Sequence, residues 1–506
     1  MQKFISIDQL SKIILKHKAK RKKIVLCHGV FDLLHVGHIK HFKIAKTFGD
    51  ILVVSITSDQ YVNKGPNRPH FKENNRGEAV ASLTDVDYVV LNRDNTAVPI
   101  ITKLRPNFYC KGVEYKNKKK DITKKIFDEE YAVKKNGGKL VFTNEETFSS
   151  SNVINKFDES ISSRQKKTIL NIKKKYSFEK ILSLFEKIKN LKILVLGETI
   201  IDQYSFCDPL NKSGKDPMLV IKHNKTEEYL GGAVAIAKHL EKLCNNITLL
   251  TMLGEKNEYK KTIINSLKKE TKLEIINKKN SETIMKKRYI DEISNNKLLG
   301  VYRINDEDLD NSDEKKLQKK LIKLIPKHDL VVVSDYGHGF ISKKSAKLIS
   351  KLSKYLALNA QVNSSNVGYH TIQNYFKPDC LIINEKEIRH EFRDRNSKAE
   401  DLMEKLSKSQ GAKNIIVTQG IEGSILYNKD KKKFHYCEAL SKSAIDKIGA
   451  GDTMLSLISL CLKIKFDPDI SLLISSLAAA QSVKIMGNKK SIDKNYLFKS
   501  LEHILK

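Results

Sequence analysis

Two histidines flank a glycine at the end of the segment GVFDLLHVGH, residues 29–38. The apolar run at residues 24–27 precedes it as a buried strand, and an amphipathic helical pattern begins at His38. Because a helix N-terminus binds phosphate and nearby imidazoles stabilise a leaving pyrophosphate, the segment predicts a phosphate-handling turn. A pair of ordinary surface histidines is the alternative interpretation. The candidate residues are Gly29, Val30, Phe31, His35 and His38.

A second candidate for phosphate chemistry is GAGDT, residues 449–453. Gly449 and Gly451 allow backbone N–H groups at a helix start to surround a phosphoryl group. Asp452 follows directly and is placed to accept a proton from a hydroxyl. The alternative interpretation is a glycine-rich helix cap.

Alternating strands and helices position both motifs. Before residue 143, the predicted strands are IVLC (24–27), ILVVSIT (51–57), YVVL (88–91), FYC (108–110) and KLVF (139–142). A second α/β pattern starts at ILVLG (193–197), and its predicted strand-end loops lie in 330–339, 381–387, 415–423 and 445–453. This alternation predicts an α/β fold of two doubly wound domains, whose sites lie at the carboxyl ends of parallel strands. We place the domains at 1–157 and 176–506, with a linker at 158–175.

Composition limits the choice of partners. The chain has 506 residues and a formal charge of 92 − 59 = +33, but its lysines are spread along nearly every segment. Without zinc-finger spacing, an RNP pattern or a basic zipper, a lysine-rich solvated surface is favoured over a specific nucleic-acid partner. Nonspecific, salt-dependent nucleic-acid affinity stays open.

The spacing of the cysteines and the length of the apolar runs indicate the cellular compartment of the protein. Seven scattered cysteines without a C-x-x-C pair indicate thiols in a reducing compartment. Residues 1–23 do not read as a signal peptide, and no apolar run has the length of a membrane span. We therefore expect a cytoplasmic protein with no membrane partner.

Several separated motifs in residues 20–157 resemble the H-x-G-H nucleotidyltransferases, particularly glycerol-3-phosphate cytidylyltransferases and heptose-1-phosphate adenylyltransferases. They are GVFDLLHVGH, NKGPNRP (63–69), Arg76, KGVEY (111–115) and FSSSNVI (148–154). The resemblance implies a Rossmann-like domain in which His35 and His38 are catalytic and Mg²⁺ assists. It implies phosphate-binding cations at Lys64, Arg68 and Lys111, and triphosphate-binding groups at Ser149, Ser150 and Ser151. Val113 replaces the usual glycine of heptose-type members, and ATP and CTP both stay open as the nucleotide.

Residues 176–506 resemble the ribokinase or phosphofructokinase-B sugar kinases, which use ATP. The resemblance implies that Asp452 is the catalytic base. It implies an anion hole at Gly449, Ala450 and Gly451, an ATP loop at Thr418, Gly420 and Gly423, and sugar contacts at Asp202, Gly231 and Gly232. Asn384 and Glu387 match the N-x-x-E motif, which binds the nucleotide phosphates and organises Mg²⁺ through water. Departures on the sugar side are Ala235, His338 and the segment NAQVNSSN (359–366).

Together the halves resemble the bifunctional enzymes of ADP-heptose synthesis, in reversed order. The combination implies a sugar kinase and a sugar-phosphate nucleotidyltransferase, making a nucleotide-activated sugar or polyol for surface polysaccharide or lipopolysaccharide. Its partners are sugars or sugar phosphates, and a homodimer is one possible assembly. An active transferase with a ligand-binding, regulatory kinase-like domain is the alternative. A basic nucleic-acid-associated protein is the interpretation that the motifs favour least.

Overall fold

The chain divides into two compact units. The computed structural model describes residues 2–116, 125–144, 162–213, 216, 218–362, 366–441 and 444–505. The first unit comprises Met1–Ser163 with Phe498–Lys506, and the second comprises Arg164–Leu497.

The first unit alternates strands with helices. Its strands are β1 Ile24–Gly29, β2 Ile51–Thr57, β3 Tyr88–Asn92, β4 Phe108–Gly112 and β5 Lys139–Thr143. Its helices are α1 Ile7–Ala19, α2 Val36–Lys46, α3 Glu73–Ala81, α4 Val98–Leu104 and α5 Lys125–Lys135. All paired strands are parallel, in the order β3-β2-β1-β4-β5. The winding direction reverses between β1 and β4, and sheets of this kind bind ligands at the strand ends next to such a reversal.

Both faces of this sheet are covered. Every residue of β2 is buried, as a central parallel strand requires. Leu26 and Val53 belong to the apolar cluster on one face, and Val25, Val54 and Phe42 of α2 belong to the cluster on the other. The alternation of side chains along each strand therefore holds α2, and with it the H-x-G-H turn, against the second face.

The second unit is also an α/β structure. Its strands are β6 Lys192–Lys212, β7 Leu219–Gly232, β8 Asn246–Gly254, β9 Lys272–Lys278, β10 Met285–Asp291, β11 Lys297–Arg303, β12 Leu330–Asp335, β13 Leu356–Ala360, β14 Cys380–Asn384, β15 Asn414–Thr418, β16 Ser424–Asn428 and β17 Lys433–Cys437. The first part of β6 pairs in parallel with β8 and β12, and the main sheet continues through β13 to β17. The last two pairings, β15 with β16 and β16 with β17, are antiparallel.

Strand β6 runs beyond the main sheet. Its second part pairs with β7 antiparallel and with β10 parallel, and β11 joins β10. We call these strands, with β6 from Thr199 onward, the small sheet. One continuous strand thus connects the main sheet to the small sheet.

Eleven further helices of the described residues lie from residue 163 onward, and the last of them extends into the part of the chain that belongs to the first unit. They are α6 Ser163–Lys175, α7 Phe178–Ile188, α8 Ala233–Leu240, α9 Lys260–Ser266, α10 Asn311–Leu324, α11 Lys343–Leu352, α12 Glu385–Phe392, α13 Ala399–Gln410, α14 Ala450–Lys463, α15 Pro468–Ser482 and α16 Lys494–Leu505. Helix α6 lies in the interval that the sequence predicts as a linker, and it buries Gln165 and Ile172. These two side chains, spaced two turns apart, give a lysine-rich segment enough contact to stay helical.

Two further observations concern the chain as a whole. All seven cysteines are buried thiols. Among the residues placed by the structure, no helix is both long and apolar enough to cross a membrane.

Candidate active sites

The H-x-G-H turn follows β1 directly. His35 is the N-cap of α2 in extended backbone geometry, and the helix begins at Val36, two residues before the His38 start that the helical pattern indicates. The His35 and His38 rings stack with their centroids 3.9 Å apart. Phe31, at a left-handed φ of 49°, sets its ring edge-to-face against His38. The turn stores backbone strain at Phe31, and its ring holds the catalytic candidate His38 in place.

Both imidazoles are neutral at pH 7. The pKa of His38 is lowered to about 3, mainly by burial and in smaller part by the neighbouring His35 and Lys64. Burial and Lys64 also lower the pKa of His35. Lys64 therefore lies near enough to the histidine pair to influence both pKa values. An anionic triphosphate would raise both pKa values, so the site suits a ligand that brings negative charge.

Asp32 organises the loop that carries Arg68. Its buried carboxylate accepts hydrogen bonds from the backbone N–H groups of His70, at 2.8 Å, and Phe71, at 3.1 Å. It also pairs with the Arg68 guanidinium at 3.2 Å. The GVFDLLHVGH motif contains Asp32, but the spacing of its residues does not indicate which groups this carboxylate binds. Asp32 thus positions a predicted phosphate-binding cation.

Arg76 is a structural residue under the turn. Its side chain is 1% exposed and donates hydrogen bonds to the carbonyls of Val30, Thr57 and Phe71. It also pairs with the Asp59 carboxylate at 2.7 Å. One buried guanidinium therefore joins the H-x-G-H turn, the end of β2 and the following loop.

Replacing Arg76 by methionine is expected to destabilise the first unit by about 3 kcal/mol, since three carbonyls, one of them buried, lose their donor. Hydrogen-exchange mass spectrometry of the full chain, read on peptides of residues 24–81, measures the local free energy of opening. The exposed Arg93→Met serves as the matched control. Equal protection in the two variants would contradict this structural role.

Lys111 is the second-to-last residue of β4, the strand that pairs with β1. Its ammonium lies 3.4 Å from a Glu129 carboxylate oxygen and 4.9 Å from the ring centroid of Tyr115. Burial lowers the pKa of His28 to about 4, and Lys111 adds to that shift. The ion pair keeps this predicted phosphate-binding cation at the strand end. Ser149, Ser150 and Ser151 lie outside the residues that the structure describes.

The GAGDT motif of the second unit opens α14. Gly449 is its N-cap at φ 83°, and a Cβ there would lie 2.2 Å from the Asn488 amide oxygen. A Cβ on Gly451 would meet no described atom within 4 Å. Only glycine therefore fits at the first position, whereas the second faces open space. Ala450 is the first helical residue between them.

Asp452 lies in the first turn of α14. It accepts a hydrogen bond from the Tyr336 hydroxyl at 2.8 Å. The pKa of Asp452 is raised to about 6, mainly because the carboxyl group is buried. The negative charge of Asp202 contributes to this increase. The ammonium of the buried Lys286 stands 5.9 Å from the Tyr336 ring centroid. Such a carboxylate is poised to take a hydroxyl proton near neutral pH.

The predicted sugar contacts meet beside this carboxylate. Asp202 pairs with Arg288 of the small sheet at 2.5 Å. A Cβ on Gly231 would lie 2.5 Å from the Asp202 carboxylate and 3.4 Å from the Asn488 amide nitrogen. Gly232, at φ 62°, is the N-cap of α8. Asn488 thus touches both glycine motifs, a contact that only the three-dimensional fold reveals.

Asp446 connects the small sheet to the GAGD turn. Its buried carboxylate accepts from the Tyr204 hydroxyl and the Lys297 ammonium, both at 2.6 Å. It also accepts from the backbone N–H groups of Ile448 and Gly487. A carboxylate three residues before Gly449 is visible in the sequence, but its partners come from β6 and β11. Asp446 therefore positions the turn relative to the small sheet.

The predicted nucleotide residues lie at the ends of β14 and β15. Thr418 ends β15, and Gly420 and Gly423 have φ values of 62° and 104° in the following turn. Asn384 and Glu387 form a capping box at the start of α12.

The donor set of this capping box fits a water-mediated magnesium ion. Glu387 accepts from the Asn384 N–H at 2.8 Å, and Asn384 Oδ1 accepts from the Glu387 N–H at 3.0 Å. Burial raises the pKa of Glu387 to about 7. Since the capping bonds already engage these oxygens, the pair fits a hydrated ion better than direct ligation.

The residues that depart from the family pattern have structural partners here. His338 is fully buried, with Nδ1 2.5 Å from an Asp306 carboxylate oxygen. Ala235 is buried within α8. Asn366 donates to the Tyr336 carbonyl at 2.9 Å and so supports the tyrosine that contacts Asp452. Asn366 is thus linked to Asp452 through Tyr336, while residues 363–365 of the same segment lie outside the residues that the structure describes.

Comparison with known families covers both units. Residues 190–495 match the pfkB family carbohydrate kinase profile, and residues 26–156 match the cytidylyltransferase-like profile. These matches confirm both resemblances predicted from the motifs, and the enzyme classes that they imply.

Individual relatives match a smaller part of the chain. The bifunctional protein HldE of Trichlorobacter lovleyi is 41% identical over 110 residues, which are 21% of this chain and 22% of the relative. HldE of Geobacter metallireducens is 43% identical over 115 residues, which are 22% and 24% of the two chains. The chain thus spans less than a quarter of the length of these curated relatives.

A solved structure supports the fold of the larger unit. A variant of phosphofructokinase-2 from Escherichia coli superposes with a TM-score of 0.50 at 12% identity, covering 63% of this chain and 100% of that one. A likeness at this identity shows the fold alone. The predicted fold class, a Rossmann-like unit followed by a ribokinase-like unit, is confirmed.

Proposed function

Because the chain belongs to the pfkB family of carbohydrate kinases and also carries a cytidylyltransferase-like segment, we propose that it is a bifunctional enzyme. One unit is an ATP-dependent sugar kinase, and the other is a sugar-phosphate nucleotidyltransferase. One observation carries the proposal. In the first unit, α2 begins just after the parallel strand β1 and carries the paired imidazoles. In the second unit, the first turn of α14 carries Asp452, which accepts a hydrogen bond from Tyr336 directly after the parallel strand β12.

In the transferase, a phosphate oxygen of the acceptor attacks the α-phosphorus of a nucleoside triphosphate and pyrophosphate leaves. His35 and His38 bind the phosphates and stabilise the charge that develops on the leaving group. Lys64, Arg68 and Lys111 supply positive charge around the chain of phosphates. Gly29, Val30 and Phe31 form the turn beneath the nucleotide, and Ser149, Ser150 and Ser151 complete the proposed triphosphate contacts.

In the kinase, Asp452 removes the proton from a sugar hydroxyl, whose oxygen attacks the γ-phosphorus of ATP. Gly449, Ala450 and Gly451 hold the transferred phosphoryl group through their N–H groups. Asp202, Gly231 and Gly232 contact the sugar. Thr418, Gly420 and Gly423 contact the nucleotide.

We further propose Mg²⁺ as the metal of both reactions. Bound to the nucleotide, it neutralises phosphate charge, and Asn384 and Glu387 hold it through water in the kinase. The domain limits 1–157 and 176–506, a homodimeric state and a cytoplasmic location complete the proposal. Seven buried thiols support a reducing compartment.

The combined product is a nucleotide-activated sugar or polyol of the ADP-heptose type, used for surface polysaccharide or lipopolysaccharide. The similarity of the transferase part to HldE proteins supports this product. The altered residues on the kinase acceptor side, His338 among them, favour an acceptor that differs from heptose.

A product matrix tests the proposal. The full chain is incubated with Mg²⁺, a panel of sugars and sugar phosphates, and either ATP or CTP, and the products are identified by mass spectrometry. We expect a phosphorylated sugar with ATP, and a nucleotide sugar plus pyrophosphate with one of the two triphosphates.

The outcomes separate the two halves. Nucleotide-sugar formation without any sugar-dependent ADP would replace the kinase by the regulatory, ligand-binding alternative. Sugar phosphorylation without pyrophosphate release from any acceptor would contradict the transferase proposal. Reactions without acceptor provide the background rate for each nucleotide.

A further inference from the structure

We propose that Cys27, His41 and Cys110 form a zinc site inside the first unit. The two Sγ atoms and a His41 ring nitrogen all lie within 4.8 Å of one another, and the three residues are buried. Both cysteines are fully inaccessible and His41 is 9% exposed. The cluster is distinct from the histidine pair and from the predicted phosphate-binding cations.

The fold assembles this cluster from three elements. Cys27 of β1 and Cys110 of β4 are register partners on neighbouring parallel strands, so their side chains project from the same face. Helix α2 packs on this face through Phe42 and Ala45, in the same apolar cluster as both cysteines. His41 precedes Phe42 on that helix. A metal here would therefore join β1, β4 and α2.

The chemical type of the three donor groups indicates which metal ion the site would bind. Two thiolates and an imidazole are soft or borderline donors, which prefer Zn²⁺ to Mg²⁺. Binding releases the two thiol protons to solvent, and the two negative sulfurs then balance the charge of the ion. A neutral assembly of this kind fits an apolar interior, where isolated charges are costly.

The distances require a small adjustment. Ligand atoms around a tetrahedral zinc lie about 3.5 Å apart, as follows from bonds of about 2.0–2.3 Å. The sulfur and nitrogen atoms, which lie within 4.8 Å of one another, must therefore approach each other by roughly 1 Å or less. Rotation about the side-chain bonds allows this movement. Three protein ligands leave one tetrahedral position to a water molecule.

Thr143 supplies an outer contact of the kind that metal-binding histidines have. Its hydroxyl lies 2.8 Å from His41 Nδ1 and donates to the Lys111 carbonyl at 3.4 Å. With its proton directed to that carbonyl, the hydroxyl accepts from Nδ1–H. The resulting tautomer has its lone pair on Nε2, which leaves that nitrogen able to bind a metal.

The site would act on the transferase through position. His41 lies three residues after His38 on α2, so anchoring it to β1 and β4 fixes the helix that carries the catalytic candidates. The proposal rests on the cluster alone and stands whether or not the proposed reactions are correct.

The test uses metal alone on the full chain. Protein stripped of metal under reducing conditions is titrated with Zn²⁺ and its metal content is measured by plasma mass spectrometry. Co²⁺ serves as the spectroscopic probe. We expect about one tightly bound equivalent and a thiolate-to-cobalt charge-transfer band.

Variants assign the ligands. Cys110→Ser is expected to abolish the charge-transfer band of the paired thiolates and to weaken Zn²⁺ binding more than 100-fold. Thr143→Val keeps all three ligands and is expected to weaken binding about 10–100-fold. Cys380→Ser and Cys461→Ser, which change buried thiols of the second unit, are expected to bind Zn²⁺ as the parent does. Circular dichroism of each variant verifies that it is folded.

Three results would overturn the proposal. The first is the absence of a tight equivalent in the folded parent protein. The second is Zn²⁺ binding that Cys110→Ser leaves unchanged. The third is a thiol count showing that Cys27 and Cys110 are oxidised to each other in reducing buffer, which would make the pair a disulfide instead.

Discussion

Replacing Asp452 by asparagine is expected to lower kcat for sugar phosphorylation about 10²–10⁴-fold, the range that a general base contributes. The amide keeps the shape of the side chain and its contact with the Tyr336 hydroxyl, at 2.8 Å in the parent, but it takes up no proton. The KM for ATP should change little, because the proton of the sugar hydroxyl is transferred only in the transition state. A coupled assay of ADP formation, run with the acceptor found in the product matrix, measures the loss.

The pH profile of the parent enzyme provides a second readout. Burial raises the pKa of Asp452 to about 6, and a base acts only in its deprotonated form. The rate is therefore expected to rise with pH up to about 6 and to level off above it, with about a tenfold loss per unit below. The exposed Asp401→Asn is the matched control and should keep both the rate and the profile. An Asp452→Asn enzyme with parent kcat would remove the proposed role.

Replacing His38 by alanine is expected to lower pyrophosphate release by the transferase about 10³-fold, the scale on which one charge-stabilising group acts. Two effects combine, because the variant loses a donor to the leaving group and also the ring that stacks on His35 at 3.9 Å. Pyrophosphate formation from the triphosphate and acceptor found in the product matrix measures the change.

Two controls isolate the chemistry of His38. Lys40→Gln changes an exposed residue of the same helix and should leave the transferase rate unchanged. Kinase activity of His38→Ala should equal that of the parent, since Asp452 lies in the other unit. Pyrophosphate release by folded His38→Ala at the parent rate would assign the leaving-group role to another residue.

The elements that carry both sites are predictable because their signals are local. The apolar run ILVVSIT predicts a strand over residues 51–57, and β2 has these bounds. Val98–Leu104 is likewise helical as its spacing indicates. The motif glycines behave as their positions require, with Gly449 left-handed at the start of α14. Strand ends and helix starts of this kind depend on a few neighbouring residues.

The supporting contacts are not predictable because they join distant parts of the chain. Asp446 binds Tyr204 and Lys297, and Asp32 binds backbone groups of residues 70 and 71. Arg76 stands out as part of a motif, yet its near-complete burial beneath the turn follows only from the packing of β2 and α3. Side chains that reach across the fold leave no periodic signal in the sequence.

The single strand β6 has an evolutionary consequence. It carries Asp202 out of the main sheet and into the small sheet, where Arg288 meets it, while the nucleotide motifs lie at the ends of other strands. Substitutions along β6, β7 and β10 can therefore reshape the acceptor pocket without disturbing ATP binding. Under the proposed roles, this division would let the sugar acceptor change while the phosphoryl donor stays the same, in agreement with the presence of GAGD beside the departures at Ala235 and His338.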